Sequence, residues 1–178
     1  TVGYMISAVL QNSGLSVGLF TSPHLVDFRE RIRINGEKIP EVVVVNFVEQ
    51  YGHSWGSPSF FELTFGMSLQ FFKNRNVDIV ILETGMGGRL DSTNIIPTAE
   101  VCVITNIGLD HQTFLGDTIR EIALEKAGII KDSVPVVLGR MRPEAQSVIL
   151  GAALRQSSEM NYGRIVPEGV LEDPSPFF

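Results

Sequence analysis

At 178 residues, 44% of them hydrophobic and 19% charged, the chain has the make-up of an ordinary folded domain, which excludes a disordered or fibrous segment. A formal net charge of -6 excludes a general surface for nucleic acid, so any anionic ligand needs local positive groups. No apolar run approaches the roughly 20 residues that cross a bilayer, the start has no signal-peptide pattern, and the one cysteine, Cys102, leaves no disulfide or thiolate metal site within one chain; a reducing cytoplasm is expected.

Val2, Met5, Ile6, Val9 and Leu10 keep helical spacing from the first residues, with no capping residue before them, so the chain is expected to begin inside a larger fold with a strand upstream. Gly14 suits the left-handed end of that helix, and residues 17–20 read as a short buried strand. Between Arg29 and Ile39 the residues alternate. Arg29, Arg31 and Arg33 fall on one side, Glu30, Ile32 and Ile34 on the other, and Asn35-Gly36 makes the turn, which predicts a hairpin with an arginine face. Helices are expected at 41–51 and 61–73, the second apolar enough to be buried on most sides. Residues 77–82 and 101–105, apolar except for Asp78 and Thr105, are runs of the kind found in parallel sheets covered on both faces. Thr118 with Glu121 predicts a capping box for a helix to about Ile130, residues 136–138 another strand, and Pro143 the first turn of a helix to about Gln156. Alternating strands and helices predict one α/β domain over residues 1–178 with a mainly parallel sheet. The tail, residues 167–178, has three prolines and no period.

Ligands of open parallel sheets bind outside the carboxyl ends of the strands, so the residues after each apolar run are the informative ones. They are Thr21-Ser22-Pro23-His24, then Glu83 and the glycine-rich stretch to Asp91, then residues 106–111 ending in Asp110-His111. A hydroxyl, a carboxylate and an imidazole on one edge suit Mg²⁺, which takes oxygen ligands and keeps waters and substrate phosphates. The competing reading pairs Glu83 with an arginine and makes His111 a turn cap. Lys126 shares a helical stripe with Ile119, Ile122, Ala123, Ala127 and Ile130, where an apolar side chain belongs. Either it snorkels from the edge of the core, or it is a lysine of lowered pKa able to take up CO₂ as a carbamate that faces a metal.

Gly85-Met86-Gly87-Gly88 fails the dinucleotide fingerprint because its third glycine position is Leu90. No G-x-x-x-x-G-K-[ST] phosphate loop occurs. No nucleophile triad is supported, since His53 reads as a loop residue and Cys102 as core.

Six motifs in order, Thr21-Ser22-Pro23-His24-Leu25, Arg29-Glu30-Arg31-Ile32, Phe61-Glu62-Leu63-Thr64, residues 83–94 (ETGMGGRLDSTN), residues 106–111 (NIGLDH) and residues 125–129 (EKAGI), resemble the folylpolyglutamate synthase and dihydrofolate synthase family, a branch of the Mur ligases. The resemblance covers the chain from Thr1 to about Gly163. It implies a three-layer α/β/α central domain of the P-loop NTPase kind. It also implies a reaction in which ATP phosphorylates the terminal carboxylate of a folate or dihydropteroate and the amino group of L-glutamate displaces phosphate. Two Mg²⁺ ions are implied, with Ser22 and Glu83 resembling ligands of the first, His111 a ligand of the second and Lys126 the carbamylated lysine. Ser59, Phe60, Phe61 and Glu62, with Leu90, Asp91 and Ser92, match positions that touch the pterin, Phe61 supplying an aromatic face. Thr21 and His24 belong to a flexible substrate loop. A cytoplasmic monomer with no nucleic-acid or membrane partner is expected.

In the family a phosphate loop ending in Gly-Lys-Gly-Ser stands just before a position like Thr1, and a second domain follows. The 178 residues are therefore expected to be an incomplete central domain, inactive or nearly so alone. The competing assignments are a Mur-type ligase for a cell-wall precursor and a non-catalytic binding module. Thr21 to Leu25 and the GGRLDSTN stretch favour folate.

Overall fold

The computed structural model describes residues 1–52 and 56–162; His53 and the 167–178 tail lie outside them. The chain divides into two compact units, Thr1–Pro97 and Thr98–Phe178.

In the first unit, helix α1 (Val2–Asn12) leads into strand β1 (Val17–Phe20). The amides of Gly14 and Leu15 close back on the carbonyls of Gln11 and Leu10 at 2.9 and 3.2 Å, with Gly14 at φ 89°, so the glycine ends the helix as its position predicts. The apolar spacing misplaces the buried face, however. Val2, Met5 and Val9 are exposed, while Ser7 is buried and a Cβ on Gly3 would stand 3.3 Å from Leu19. The helix descends on its small residues, because only they let its backbone approach the sheet closely.

Strand β1 is wholly buried and has β2 (Ile32–Ile34) antiparallel on one side and β4 (Ile79–Leu82) parallel on the other; β3 (Glu37–Lys38) completes the order β3-β2-β1-β4. Strand β4 is only half-buried, unlike the doubly covered strand its apolar run suggests, since it pairs with β1 alone among the described residues. Helices α2 (Glu41–Tyr51) and α3 (Phe60–Asn74) supply Phe47, Phe65, Met67, Phe71 and Phe72 to a core shared with Phe20, Ile32 and Ile39.

The predicted hairpin is real but short. Asn35 and Gly36 turn it at φ 49° and 83°, as an Asn-Gly pair does. The arginine face is not formed, because residues Phe28–Arg31 wind into a 3₁₀ turn capped by Asp27, whose side chain accepts from the Arg29 amide while Glu30 returns to the Asp27 amide. Arg29 then pairs with Asp27 at 2.8 Å, Arg31 turns to His24, and Arg33 lies over the Tyr4 ring. Hydrogen bonds from the Arg29 and Lys38 side chains hold the Asp27 carboxyl well below the usual carboxylate range. Since the unfolded carboxyl titrates near about pH 3.9, this contribution is complete above that pH and is lost as pH falls from there toward the folded value. In urea melts, the stability lead of wild type over Asp27→Asn is expected to stay level around neutral pH and to shrink below about pH 4.

The second unit has a three-stranded sheet of parallel pairs, β5 (Cys102–Ile104), β6 (Val136–Leu138) and β7 (Met160–Tyr162), in that order. Between them stand α4 (Gln112–Leu115), α5 (Ile119–Ala127) and α6 (Pro143–Arg155). The Thr118 and Glu121 capping box forms as predicted, but α5 ends at Ala127, three residues early. Ile122, Ala123, Val136, Leu138, Ala145 and Ile149 make the centre of this unit's core. Among the described residues three of the five strand pairings are parallel, so the chain is α/β with a mainly parallel strand arrangement. No helix among the described residues is long and apolar enough to cross a membrane.

Candidate functional site

Parallel pairing of β1 with β4 sets Phe20 beside Leu82, so the two strands deliver Thr21 and Glu83 to one edge. The Glu83 amide donates to the Phe20 carbonyl at 3.0 Å, the Thr21 amide to the Arg31 carbonyl at 3.0 Å, and the Ser22 amide to Oε2 of Glu83 at 3.1 Å. Glu83 forms no ion pair among the described residues, so the arginine pairing is not what holds it. Its Oε1 and the Ser22 hydroxyl have no hydrogen-bond partner among those residues. This is an oxygen donor set at a strand edge that fits a magnesium-type ion. No cluster of three or more His, Cys, Asp or Glu side chains suited to a metal occurs among the described residues.

From Ser22 the chain runs to His24, whose Nδ1 accepts from Nε of Arg31 at 2.8 Å. The Arg31 guanidinium stands 5.3 Å from the Phe60 ring centroid, and Phe60 in turn meets Phe28 edge-on at 5.7 Å. Phe60 and Phe61 differ in exposure. Phe61 is half-buried, 5.6 Å from Phe20, on the helical face it shares with Phe65. Phe60 is 59% exposed and is the ring open to a ligand. Ser59 and Glu62 form the capping box of α3, the Ser59 hydroxyl accepting from the Glu62 amide at 3.2 Å and Glu62 from the Ser59 amide at 2.7 Å. Hydrogen bonds from the Ser59 amide and hydroxyl hold the Glu62 carboxyl below its ordinary range.

The glycine-rich loop is organised by Asp91. Its Oδ2 accepts from the amides of Gly85 and Met86 at 2.9 and 3.0 Å, and its Oδ1 from the amide and hydroxyl of Thr93 at 2.9 and 2.6 Å. Asp91 therefore shapes the loop rather than offering a free carboxylate. Gly85 is required beside Phe61, where a Cβ would fall 2.7 Å from the ring. Leu90, exposed, and Ser92, half-buried, line an open groove of about 530 Å³ with Glu62, Arg89 and Asn94.

The structure thus gathers Thr21, Ser22, His24, residues 59–62, Glu83 and residues 90–92 in the first unit. His111 and Lys126 belong to the second. His111 is exposed, in the left-handed conformation at φ 52°, and begins α4 without a side-chain cap bond; its Nε2 lies 3.7 Å from Asp110. Lys126 is half-buried in the last turn of α5, on the stripe with Ile122 and Ala123. Cys102 is core, as expected, its thiol donating to the Ile129 carbonyl at 3.2 Å and raised by burial. The sequence places Arg31 on a strand face and in the Arg29-Glu30-Arg31-Ile32 motif; neither carries a signal that it turns to His24.

No family model matches the chain. It is 41% identical over 163 residues to the folylpolyglutamate synthase of Lacticaseibacillus casei, an alignment covering 86% of this chain and 38% of that protein. A folylpolyglutamate synthase solved with AMPPCP and folate superposes at a TM-score of 0.84 with 39% identity, over 90% of this chain and 41% of that one. A bifunctional folylpolyglutamate and dihydrofolate synthase solved with Mn, AMPPNP and L-glutamate gives 0.79 and 37%, over 88% and 38%. The chain spans between a quarter and two-fifths of the length of the curated relatives it matches.

Proposed function

We propose, since the chain is homologous over most of its own length to folylpolyglutamate and dihydrofolate synthases, that it is part of an ATP-dependent ligase joining L-glutamate to the carboxylate of a folate or dihydropteroate. The observation that carries this reading is the junction of Ser22 and Glu83 at the carboxyl ends of β1 and β4, beside an exposed Phe60 and the groove at Leu90 and Ser92. Residues 1–178 would form the central domain of that enzyme, in a reducing cytoplasm that suits the buried thiol of Cys102.

In the proposed reaction a carboxylate oxygen of the acceptor attacks the γ-phosphorus of ATP and ADP leaves. The amino group of glutamate then attacks the acyl carbon, phosphate leaves, and an amide remains. Ser22 and Glu83 would hold one Mg²⁺ and His111 a second, ions whose chemistry here is to screen the charge gathered between carboxylate and phosphate. Support for divalent-metal use comes from the Mn and AMPPNP in a solved relative. Phe60 would stack the pterin while residues 90–92 bound its edge.

Lys126 is proposed to carry a carbamate, its neutral amine adding to CO₂ with loss of a proton to water. Among the described residues its ammonium has no ion-pair or hydrogen-bond partner, and it stands on an apolar stripe. The full-length protein is expected to transfer glutamate to dihydropteroate or tetrahydrofolate, seen as the mass gain of one glutamyl residue, and Lys126→Ala is expected to lose this by roughly 10²-fold or more. Transfer to neither pterin would overturn the ligase reading.

A further inference from the structure

Arg31, in the Arg29-Glu30-Arg31-Ile32 motif, has no task in the reaction as described, yet its setting is unusual for a cation. The residue is only 9% exposed. Its Nε is spent on His24 Nδ1 at 2.8 Å and one face of the guanidinium lies on Phe60, but its terminal amino groups have no hydrogen-bond acceptor among the described residues. The acids of the same segment are turned elsewhere. Asp27 is taken by Arg29 and Lys38, and Glu30 accepts from the amides of Leu25 and Asp27 at 2.8 and 3.0 Å. Burial pushes the guanidinium toward its neutral form and no carboxylate offsets this. The terminal amino groups are not shut in, so an anion arriving from outside can reach a cation that has no counter-charge among the described residues.

The position of that anion follows from the backbone. The Arg31 carbonyl accepts from the Thr21 amide at 3.0 Å, one residue before Ser22, whose amide rests on Glu83. The Arg31 backbone therefore adjoins the strand end that leads to Ser22, while its guanidinium lies against His24 and the open ring of Phe60, on the side where the acceptor is read to lie. We propose that Arg31 binds the terminal carboxylate of the acceptor substrate, its two free amino groups meeting the two carboxylate oxygens. This rests on the ligase reading and adds to it the group that fixes the reacting end of the acceptor. Lysine, a single point charge without the planar fork, would replace it only in part.

The test is equilibrium binding by the full-length protein of dihydropteroate and of its carboxamide, with AMPPNP affinity measured in parallel, for wild type, Arg31→Met and Arg31→Lys. Wild type is expected to prefer the carboxylate by roughly 10- to 100-fold. Arg31→Met is expected to bind both alike, Arg31→Lys to regain part of the preference, and AMPPNP affinity to stay unchanged. A wild type without preference, a Met variant that keeps it, or a Met variant in which both ligands weaken by the same factor would overturn the assignment while leaving the ligase reading intact. A loss confined to AMPPNP would give the anion to a phosphate and overturn it too. Failure of wild type to bind either pterin would remove the ligase reading and this assignment with it.

Discussion

Glu83→Gln is expected to reduce glutamate transfer by the full-length protein on the order of 10³-fold, because it deletes the charge that a divalent ion needs while keeping the shape of the site. The Gln amide oxygen can still accept from the Ser22 amide, which Glu83 now does at 3.1 Å, so the Ser22 loop keeps its anchor. Stability to urea is therefore expected to change by no more than about 0.5 kcal/mol. A variant that loses activity together with several kcal/mol of stability would make Glu83 a structural residue. A variant that keeps wild-type turnover would remove it from the proposed metal site altogether. Glu83→Ala is the less informative change, since it also releases the Ser22 amide.

Phe20→Ala is expected to cost about 3–5 kcal/mol, the largest stability loss at any site discussed. Phe20 is fully buried, meets Phe61 and Phe65 at 5.6 and 5.5 Å between ring centroids, and pairs on both sides, with Ile32 and with Leu82. Removing the ring leaves a cavity under α3 and directly beneath Thr21 and Glu83. Urea denaturation measures the loss. A change below about 1 kcal/mol would mean that the core collapses around the gap and that Phe20 does not brace the site.

The carboxyl-end rule brought Thr21, Ser22 and Glu83 to one strand edge because both apolar runs are true parallel neighbours, Val17 beside Ile79 through Phe20 beside Leu82. Helix α2 has the bounds expected for it, 41–51, to the residue. Other errors have physical causes. The alternation of residues 29–34 looks like strand, but a carboxylate at Asp27 and another at Glu30 stabilise a 3₁₀ turn locally, and a capping box outweighs a weak period-two signal. The same signature at Ser59 and Glu62 went unread although Thr118 and Glu121 were recognised. Strand β7 has the sequence Met160-Asn161-Tyr162, too short and too polar to show a period; its pairing with β6 alone makes it a strand. The buried face of α1 was hidden because glycine and serine, not the larger apolar residues, define it.

At the site, residue type and position along the chain were legible, but occupancy was not. That Asp91 spends its oxygens on Gly85, Met86 and Thr93, that Phe60 and not Phe61 is the open ring, and that Arg31 is buried beside His24 are all consequences of packing. Spacing alone carries none of them.

The most direct test of the ligase reading is ADP release by the full-length protein with Mg²⁺, measured with glutamate alone, with pterin alone and with both. The account predicts sustained ADP release only when both are present, as amide synthesis through an acyl phosphate requires. Release that continues unchanged without the pterin, or none under any of the three conditions, would contradict it.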